Sequence, residues 1–432
     1  MQAFALVFGL IFVVALVAAV LGLVASIVLT VVLAVMTARR GSWIPLIYNV
    51  RSLTRRKVTT LVTMLGMALV VGVFSTVLML RNGIRETLVT AGNADNVIVL
   101  RKGSTAEITS AVDREQAKLL SSRDEVMLDP KDGKPMVDPQ LAVLIFAQKS
   151  GGGPDDGSNV FVRGASDRTL SLHPIVKVME GRWFAPGTSE IVIGRSLVGK
   201  FEGARLGSQM NFARRSWTVV GVLDAQGSSF DSEIWGDVEQ MIPAFQRTMY
   251  SQLTMRLKDP SRIPGMADAV GLDPRLNLDV KQETKYFAEL SSNLAGLLSF
   301  LGLFVAIVFS LGATLGAMIS MYAQVAARIR EVGTLRAIGF HRGSVLVSFV
   351  IESLILGIVA GVIGVAVSSL AQLGSFSTIN FGTFSEVTFR FKLTGDVIGK
   401  SLFFGAMMGY AGGLLPAVRA ARTPIIEATR GA

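Results

Sequence analysis

The sequence predicts an α-helical membrane protein with about five transmembrane helices and a mixed α/β extracytoplasmic domain. Of the 432 residues, 50% are hydrophobic and 17% are charged, and the mean hydropathy is +0.52. Soluble domains carry about 25% charged residues. Long uncharged runs alternate with polar segments, and the longest polar segment, residues 81–290, is large enough to bury a core of its own.

The uncharged runs locate the transmembrane helices. Since about 20 apolar residues are needed to cross the hydrocarbon core, we predict five spans. They lie near 8–36, 58–80, 295–322, 346–370 and 401–418. The first run has no basic segment in front of it and is longer than the apolar core of a signal peptide, so we interpret it as an uncleaved anchor rather than a cleaved leader.

The basic residues predict how the spans are oriented. Segments 39–57, 328–342 and 419–432 carry 13 basic and 2 acidic residues, whereas the rest of the chain carries 29 and 30. Five alternating spans put these segments on one face, which the positive-inside rule makes cytoplasmic. The N-terminus and residues 81–290 are then extracytoplasmic, and the C-terminus is cytoplasmic. Because topology explains the basic excess, the charge does not indicate nucleic-acid binding.

These runs divide the whole chain. Residues 39–57 read as a cytoplasmic or interfacial elbow helix with a basic C-terminal end, or simply as an anchor before the second span. The predicted segments are 1–38 (extra N-terminal transmembrane helix), 39–57 (elbow helix), 58–80 (transmembrane), 81–290 (extracytoplasmic domain), 291–327 (transmembrane), 328–345 (cytoplasmic loop or helix), 346–370 (transmembrane), 371–400 (short extracytoplasmic loop), 401–418 (transmembrane) and 419–432 (cytoplasmic tail).

The extracytoplasmic domain contains short β-branched runs bounded by Gly, Pro or Asp, which predict strands. The predicted strands are 96–100, 141–147, 159–163, 190–194, 216–223, 252–257 and 276–281, and the predicted helices are 109–121, 195–203 and 237–248. His173 precedes Pro174 in an expected loop, where a surface residue is the simplest interpretation.

One motif in this domain imitates a phosphate-binding loop. Residues 194–200 (GRSLVGK) match GxxxxGK and follow a predicted strand, but Phe201 stands where the loop needs Ser or Thr for magnesium. We therefore expect a strand, a glycine turn and an ordinary helix. Cys is absent and the two His residues are far apart, which excludes thiolate chemistry and a His-based zinc site. We expect no catalytic residue, metal or cofactor on this chain.

Three glycine pairs and one carboxylate stand out in the predicted spans. Small residues at GxxxG spacing let helices approach closely, within one protomer or between two. The pairs are Gly312 and Gly316, Gly357 and Gly361, and Gly405 and Gly409. Glu352 is charged inside a span and is a functional candidate by default. Alternatively, it lies near the interface and pairs with Arg342 or Arg336.

The polar segment 328–339 (RIREVGTLRAIG) carries the most specific motif. It reads as a short cytoplasmic helix that ends at Gly339 and offers a surface to a partner, or as an ordinary basic loop. The spacing from Glu331 through Arg336 and Gly339 to Glu352 resembles that of FtsX/MacB-type ABC transporter permeases, which include the MacB and LolC/LolE permeases. Residues 49–80, 180–223 and 416–430 are also similar to this family. The likeness covers roughly 45–432, and span 8–36 is extra to the usual four.

The resemblance implies an extracytoplasmic domain of the MacB core-domain type and a coupling helix that docks onto a separate ATPase subunit. The implied coupling residues are Arg330, Glu331, Thr334, Leu335, Arg336, Ile338 and Gly339. In the family two permeases pair with two ATPase subunits, and the ATPase subunits bind the nucleotide. The resemblance therefore implies that ATP and Mg bind the partner. Other implied partners are a second permease copy or a paralogue, a periplasmic adaptor or lipoprotein, and membrane lipid.

The leading hypothesis is a non-catalytic permease subunit in a bacterial inner membrane. It would couple ATP hydrolysis by its partner to motion of the extracytoplasmic domain, for export or extraction of a lipid, lipoprotein, peptide or drug. The alternative is an FtsX-like signalling module that regulates an extracytoplasmic partner such as a cell-wall hydrolase. A secondary transporter or channel is disfavoured, because the spans lack rows of polar residues and inverted repeats.

Overall fold

The computed structural model describes residues 22–39, 44, 53, 57–153, 155–374, 376–380 and 385–425. Nearly all of the predicted elbow helix at 39–57 lies outside these residues, as does the first half of the predicted N-terminal span. The described residues form two compact units. The helical unit takes its residues from 1–78, 301–371 and 393–432, and the mixed unit takes them from 79–300 and 372–392.

The described helices are numbered here in chain order. They are α1 (Gly22–Arg39), α2 (Lys57–Val89), α3 (Arg114–Ser121), α4 (Thr169–Leu172), α5 (Val238–Ala244), α6 (Ile263–Leu272), α7 (Glu283–Ala327), α8 (Ile329–Ala337), α9 (Arg342–Ser369) and α10 (Gly395–Arg422). Among them α1, α2, α9, α10 and the part of α7 from Phe300 are long and apolar enough to cross a membrane. Five membrane helices are therefore confirmed.

The strands all belong to the mixed unit. They are β1 (Asn96–Arg101), β2 (Val137–Gln148), β3 (Gly157–Ala165), β4 (Lys177–Gly181), β5 (Glu190–Gly194), β6 (Gln209–Phe212), β7 (Arg215–Asp224), β8 (Glu233–Asp237), β9 (Gln252–Arg256), β10 (Leu278–Gln282), β11 (Phe376–Asn380) and β12 (Ser385–Phe389). All seven predicted strands are present. The sequence reading missed β4, β6 and β8, the hairpin β11–β12, and helices α4 and α6.

One large sheet organises the mixed unit, in the order β10-β1-β9-β2-β3-β8-β5-β7-β4, with β6 added beside β7. Strand β2 joins the two halves of this sheet. Its residues 137–140 pair with β9, whereas residues 141–148 pair with β3. The β3–β8 and β5–β7 pairs are parallel. Apolar side chains that alternate along the strands, such as Val97, Ile191 and Leu253, are fully buried.

The helix predicted at 195–203 is wrong. Only a three-residue 3₁₀ turn, Arg195–Leu197, follows β5. Gly199 and Gly203 both have φ +72, which lies in the left-handed region and ends any right-handed helix there. The side chain of Phe201, between these two glycines, is buried. The GRSLVGK segment is therefore a strand followed by a compact turn.

The segment predicted as a short extracytoplasmic loop, 371–400, holds regular structure. It contains the antiparallel hairpin β11–β12, and α10 already begins at Gly395. The hairpin belongs to the mixed unit. Phe389 is buried beside Ile84 and Leu88 on α2, and the backbone N–H of Thr388 donates to Ser232 Oγ at 3.1 Å. The mixed unit is consequently discontinuous, whereas the sequence predicted one run, 81–290.

Candidate functional site

The corner between α7 and α8 is held by a buried arginine. Arg328 is the break between the two helices, with φ −113° and ψ 12°. Its Nη1 donates to Glu352 Oε2 on α9 at 2.9 Å, and its Nε donates to Glu331 Oε2 on α8 at 3.2 Å. The guanidinium carbon also lies 5.1 Å from the centre of the Phe349 ring. One cation thus links the end of α7 and the start of α8 to Glu352 on α9.

Glu352 therefore pairs with Arg328, not with Arg342 or Arg336 as the sequence reading weighed. Its side chain is only 2% exposed. Arg342 begins α9 ten residues earlier, which is about 15 Å away along the helix axis. Arg336 is occupied elsewhere, since its Nη1 donates to the carbonyl of Thr423 at 2.6 Å. Arg328 itself was not singled out from the sequence, because nothing local shows that it folds back onto α9.

Helix α8 ends in a Schellman motif. The N–H of Phe340 donates to the carbonyl of Leu335 at 3.1 Å, and the N–H of Gly339 donates to that of Arg336 at 3.2 Å. Gly339 has φ +114°, which a side chain at this position would oppose. The expected helix stop at Gly339 is confirmed. The stop turns the chain directly into α9, whose first helical residue is Arg342.

The two faces of α8 differ. Val332 and Gly333 are buried, whereas Arg330, Glu331 and Thr334 are exposed. Ile338, just past the helix, is 72% exposed, and Leu335 and Arg336 are half-buried. The structure thus gathers the predicted coupling residues on one short helix and its stop. An exposed isoleucine beside an Arg, a Glu and a Thr gives the outward face both apolar and charged contacts for another protein.

Two of the three glycine pairs lie where α9 crosses α10. A Cβ added to Gly357 would come within 2.3 Å of the carbonyl oxygen of Gly405, and one added to Gly409 within 2.4 Å of that of Ser353. Gly361 has 3.3 Å of room before Leu402. Added Cβ atoms at Gly312 and Gly316 would meet nothing within 4 Å among the described residues. The pairs on α9 and α10 therefore pack these two helices together within this chain, whereas Gly312 and Gly316 contact no other helix among the described residues.

His173, read from the sequence as a surface residue, is buried. It is 2% exposed, its Nε2 lies 2.7 Å from Glu283 Oε1, and its Nδ1 lies 3.2 Å from the Thr169 carbonyl. Glu283 Oε2 accepts from the N–H of Asn93 and from Asn96 Nδ2. Burial lowers the pKa of His173, but the Glu283 carboxylate outweighs this and raises it overall. The Glu283 carboxylate thus ties the start of α7 to the end of α4 through His173, and to the chain that follows α2 through Asn93 and Asn96.

No metal site emerges within the described ranges. No group of three or more His, Asp or Glu side chains there is close enough to hold an ion. The GRSLVGK turn also differs from a phosphate-binding loop in its last amides. The N–H groups of Gly199 and Lys200 donate to the carbonyls of Ala204 and Leu197, so neither points at a ligand.

Two family matches cover most of the chain. Residues 60–271 match the MacB-like periplasmic core domain, and residues 303–425 match the FtsX-like permease C-terminal region. This chain belongs to the FtsX/MacB-type ABC transporter permeases. It is therefore a multi-pass inner-membrane protein with a mixed α/β domain of the MacB core-domain type.

Individual relatives are distant. The macrolide export ATP-binding/permease protein MacB of Bdellovibrio bacteriovorus is 22% identical over 393 residues, which cover 85% of this chain and 58% of that protein. The uncharacterized ABC transporter permease YknZ of Bacillus subtilis is 21% identical, covering 89% of this chain and 99% of that one. The periplasmic region of MacB from Actinobacillus actinomycetemcomitans aligns at 13% identity and TM-score 0.35, over 47% of this chain and 94% of that one.

Proposed function

We propose that this chain is the non-catalytic subunit of its transporter and that α8 is its coupling helix. The observation that carries this proposal is the outward face of α8. Arg330, Glu331 and Thr334 are exposed there, beside an isoleucine that is 72% exposed. Exposed apolar residues rimmed by charge are typical of protein interaction sites. The partner is a separate ATPase subunit, which binds the ATP and Mg.

The buried face of α8 supplies a way to pass motion onward. At its start, Arg328 is bonded to Glu352 on α9, and at its end Arg336 is bonded to the carbonyl of Thr423 just after α10. Helices α9 and α10 are locked together at the glycine crossing. A push on α8 therefore displaces α9 and α10 as one body, rather than bending a loose loop.

Along the chain, α9 leads into the hairpin β11–β12, and α10 begins directly after it. The same two helices that receive the push thus flank a segment of the mixed unit. We propose that ATP-driven displacement reaches the extracytoplasmic domain by this route. The MacB relatives are named macrolide exporters. By analogy, the work done at the outer face is export or extraction of a drug, peptide, lipid or lipoprotein.

The test is a charge reversal on the outward face. The tagged full-length chain is purified in mild detergent, retained proteins are identified by mass spectrometry, and the recovered ATPase is assayed in proteoliposomes with and without the permease. Glu331→Lys should abolish permease-dependent stimulation of ATP hydrolysis, whereas Glu115→Lys, on the exposed face of α3 in the mixed unit, should leave it intact. Full stimulation of ATP hydrolysis by the Glu331→Lys variant would refute the coupling role. So would an intact preparation of the native chain with which no ATPase co-purifies.

The second candidate function is transmembrane signalling, which the match of residues 303–425 to the FtsX-like region favours. In this case the extracytoplasmic domain regulates a partner and moves no substrate. The same purification separates the two functions. A cell-wall hydrolase retained with the ATPase identifies signalling, whereas a periplasmic adaptor or a lipoprotein identifies transport.

A further inference from the structure

The mixed unit contains a basic cavity of about 850 Å³ that the proposed coupling role does not use. Three segments form its walls: the end of α2, the GRSLVGK turn after β5, and the strip of chain from Thr388 to Lys392. Among its lining residues are Glu86, Arg195, Lys200, Arg390, Phe391 and Lys392. These segments are far apart in sequence, so folding alone brings their charges together.

The cations of this basic cavity are only partly neutralised. Arg195 pairs with Asp224 and Asp231 at 2.9 and 3.1 Å, and Lys392 pairs with Glu86. In contrast, Lys200 and Arg390 form no ion pair with any described residue. Lys200 Nζ donates a hydrogen bond to Thr388 Oγ1 at 3.1 Å, so its ammonium is held over the segment that carries Arg390. Two uncompensated positive charges thus face one cavity, which favours an anion.

The cavity also offers an apolar surface next to these charges. Phe389 and Phe391 line it, with ring centres 5.7 Å apart, and Phe376 supports Phe391 edge-on at 4.9 Å. The approach of the walls is fixed by a glycine. A Cβ added to Gly83 on α2 would lie 2.1 Å from the carbonyl oxygen of Arg390. Charge beside packed phenyl rings suits an anion that carries hydrocarbon.

Helix α2 shows how far its cavity-lining residues lie beyond the hydrocarbon core of the membrane. It runs without a break from Lys57 to Val89. The uncharged run of this helix ends at Leu80. At 1.5 Å per residue, the lining residues Gly83 to Thr90 lie about 5–15 Å beyond that end. The headgroup layer of a bilayer is roughly 5–8 Å thick. Among the α2 residues that line the cavity, Gly83 is therefore at the level of the headgroups, and it lies against the backbone of Arg390.

We propose that this cavity binds the phosphate of an anionic membrane lipid. Lys200 and Arg390 contact the phosphate oxygens, and the phenyl ring of Phe391, backed by Phe389, contacts the glycerol and upper acyl carbons. A soluble nucleotide fits poorly, because the amides of Val198, Gly199 and Lys200 in the GRSLVGK turn are hydrogen-bonded internally. The site does not depend on the ATPase partner, and it does not require that the lipid be the transported molecule.

The experiment measures lipid binding to the full-length chain in detergent, by native mass spectrometry after delipidation. The probes are dihexanoyl phosphatidylglycerol, dihexanoyl phosphatidylcholine, glycerol phosphate and inorganic phosphate. The test variant combines Lys200→Gln and Arg390→Gln, both at exposed positions. The control variant, Lys118→Gln with Arg262→Gln, makes the same change in charge at exposed residues of the same unit outside the cavity.

The native chain and the control variant should bind phosphatidylglycerol at least tenfold more tightly than the test variant does, because each charge-assisted contact to a phosphate is strong. Phosphatidylcholine should bind the native chain at least tenfold more weakly than phosphatidylglycerol. Equal phosphatidylglycerol affinity in the test and control variants would overturn the site. Equal affinity for the two lipids would overturn its charge basis. Glycerol phosphate or inorganic phosphate binding as tightly as the lipid would identify a soluble ligand and overturn the lipid assignment.

Discussion

At the residue scale, the mixed unit contains a buried cation, Arg163, that no local sequence pattern indicates. Arg163 donates to Glu233 at 2.7 Å and to Glu107 at 3.0 Å, and its side chain is 2% exposed. Burial lowers the pKa of its guanidinium, but the two carboxylates outweigh this and raise the pKa overall. The aromatic rings of Phe161 and Trp235 cover the guanidinium. The three charges are therefore stable only together.

Removing this cation should be costly. In Arg163→Ala the carboxylates of Glu107 and Glu233 stay buried without their counter-charge, so we expect a loss of about 3–5 kcal/mol in the free energy of unfolding. Chemical denaturation of the full-length chain in detergent, followed by tryptophan fluorescence, measures it. Arg262→Ala, at an exposed position, should change stability by less than about 0.5 kcal/mol. A loss below about 1 kcal/mol for Arg163→Ala would contradict the role of this cluster.

The His173–Glu283 pair predicts a pH dependence. Asp138 also raises the pKa of His173, and Arg163 lowers it, but the net shift is upward from 6.5. A histidine with a raised folded pKa stabilises fully below about pH 6.5 and loses its contribution as pH rises through the folded pKa. The pKa of Glu283 is lowered from 4.5: burial raises it, and His173 outweighs that. The contribution of Glu283 is thus lost as pH falls below about 4.5.

We therefore expect the melting temperature of the full-length chain to fall as pH rises from about 6.5 to 9. His173→Gln should be less stable at pH 6 by about 1–3 kcal/mol and should show a flatter profile above pH 6.5. Thermal scans across this pH range measure both. The matched control is His341→Gln, at the start of α9, which should keep the slope of the native chain. Parallel profiles for the native chain and His173→Gln would show that this ion pair has no such effect.

At the element scale, periodicity and composition predicted most of the structure. The five membrane helices and seven strands follow from uncharged runs and β-branched runs, which are local signals. Strand β8 (EIWGD) was missed because its buried Glu233 finds its counter-charge on Arg163, seventy residues earlier. The wrong helix at 195–203 shows the converse. Its composition allowed a helix, but the tertiary structure placed two glycines at positive φ and buried Phe201 between them.

The candidate site could likewise be predicted only in part. The short helix α8 and its stop at Gly339 could be predicted, because a glycine after a helical run is a local signal. The contact between Arg328 and Glu352 could not be predicted. Arg328 lies 24 residues before Glu352, and their contact depends on how the chain folds back between α7 and α9. Similarly, sequence could not tell which GxxxG pairs face a neighbouring helix in the same chain.

The glycine crossing gives a test at this scale. Gly357→Leu should destabilise the helical unit by at least about 1–3 kcal/mol, because a side chain there collides with the backbone of α10. Gly312→Leu places the same residue where nothing lies within 4 Å among the described residues, so the protomer should keep its stability. Melting temperatures of both variants in detergent measure this. Equal losses for the two substitutions would show that the crossing is not tightly packed.

At the scale of the whole molecule, charge asymmetry predicts the orientation. The chain has no cysteine, so single cysteines can report sidedness without background. Lys131→Cys should react with a membrane-impermeant maleimide in intact spheroplasts, whereas Arg330→Cys should react only after the membrane is permeabilised. Both positions are exposed. The opposite pattern would invert the topology, and with it the placement of α8 beside a cytoplasmic ATPase.

The discontinuity of the mixed unit constrains how the protein is made. Its last strand, β12, is synthesised only after the chain has passed through the third and fourth membrane helices. At typical translation rates, the 93 residues from Phe300 to Lys392 take roughly 5–20 s to appear. During this interval Ile84 and Leu88 on α2 lack the Phe389 that later buries them. The extracytoplasmic domain therefore completes its fold only after most of the membrane insertion is finished, so an error in inserting α9 would leave that domain open.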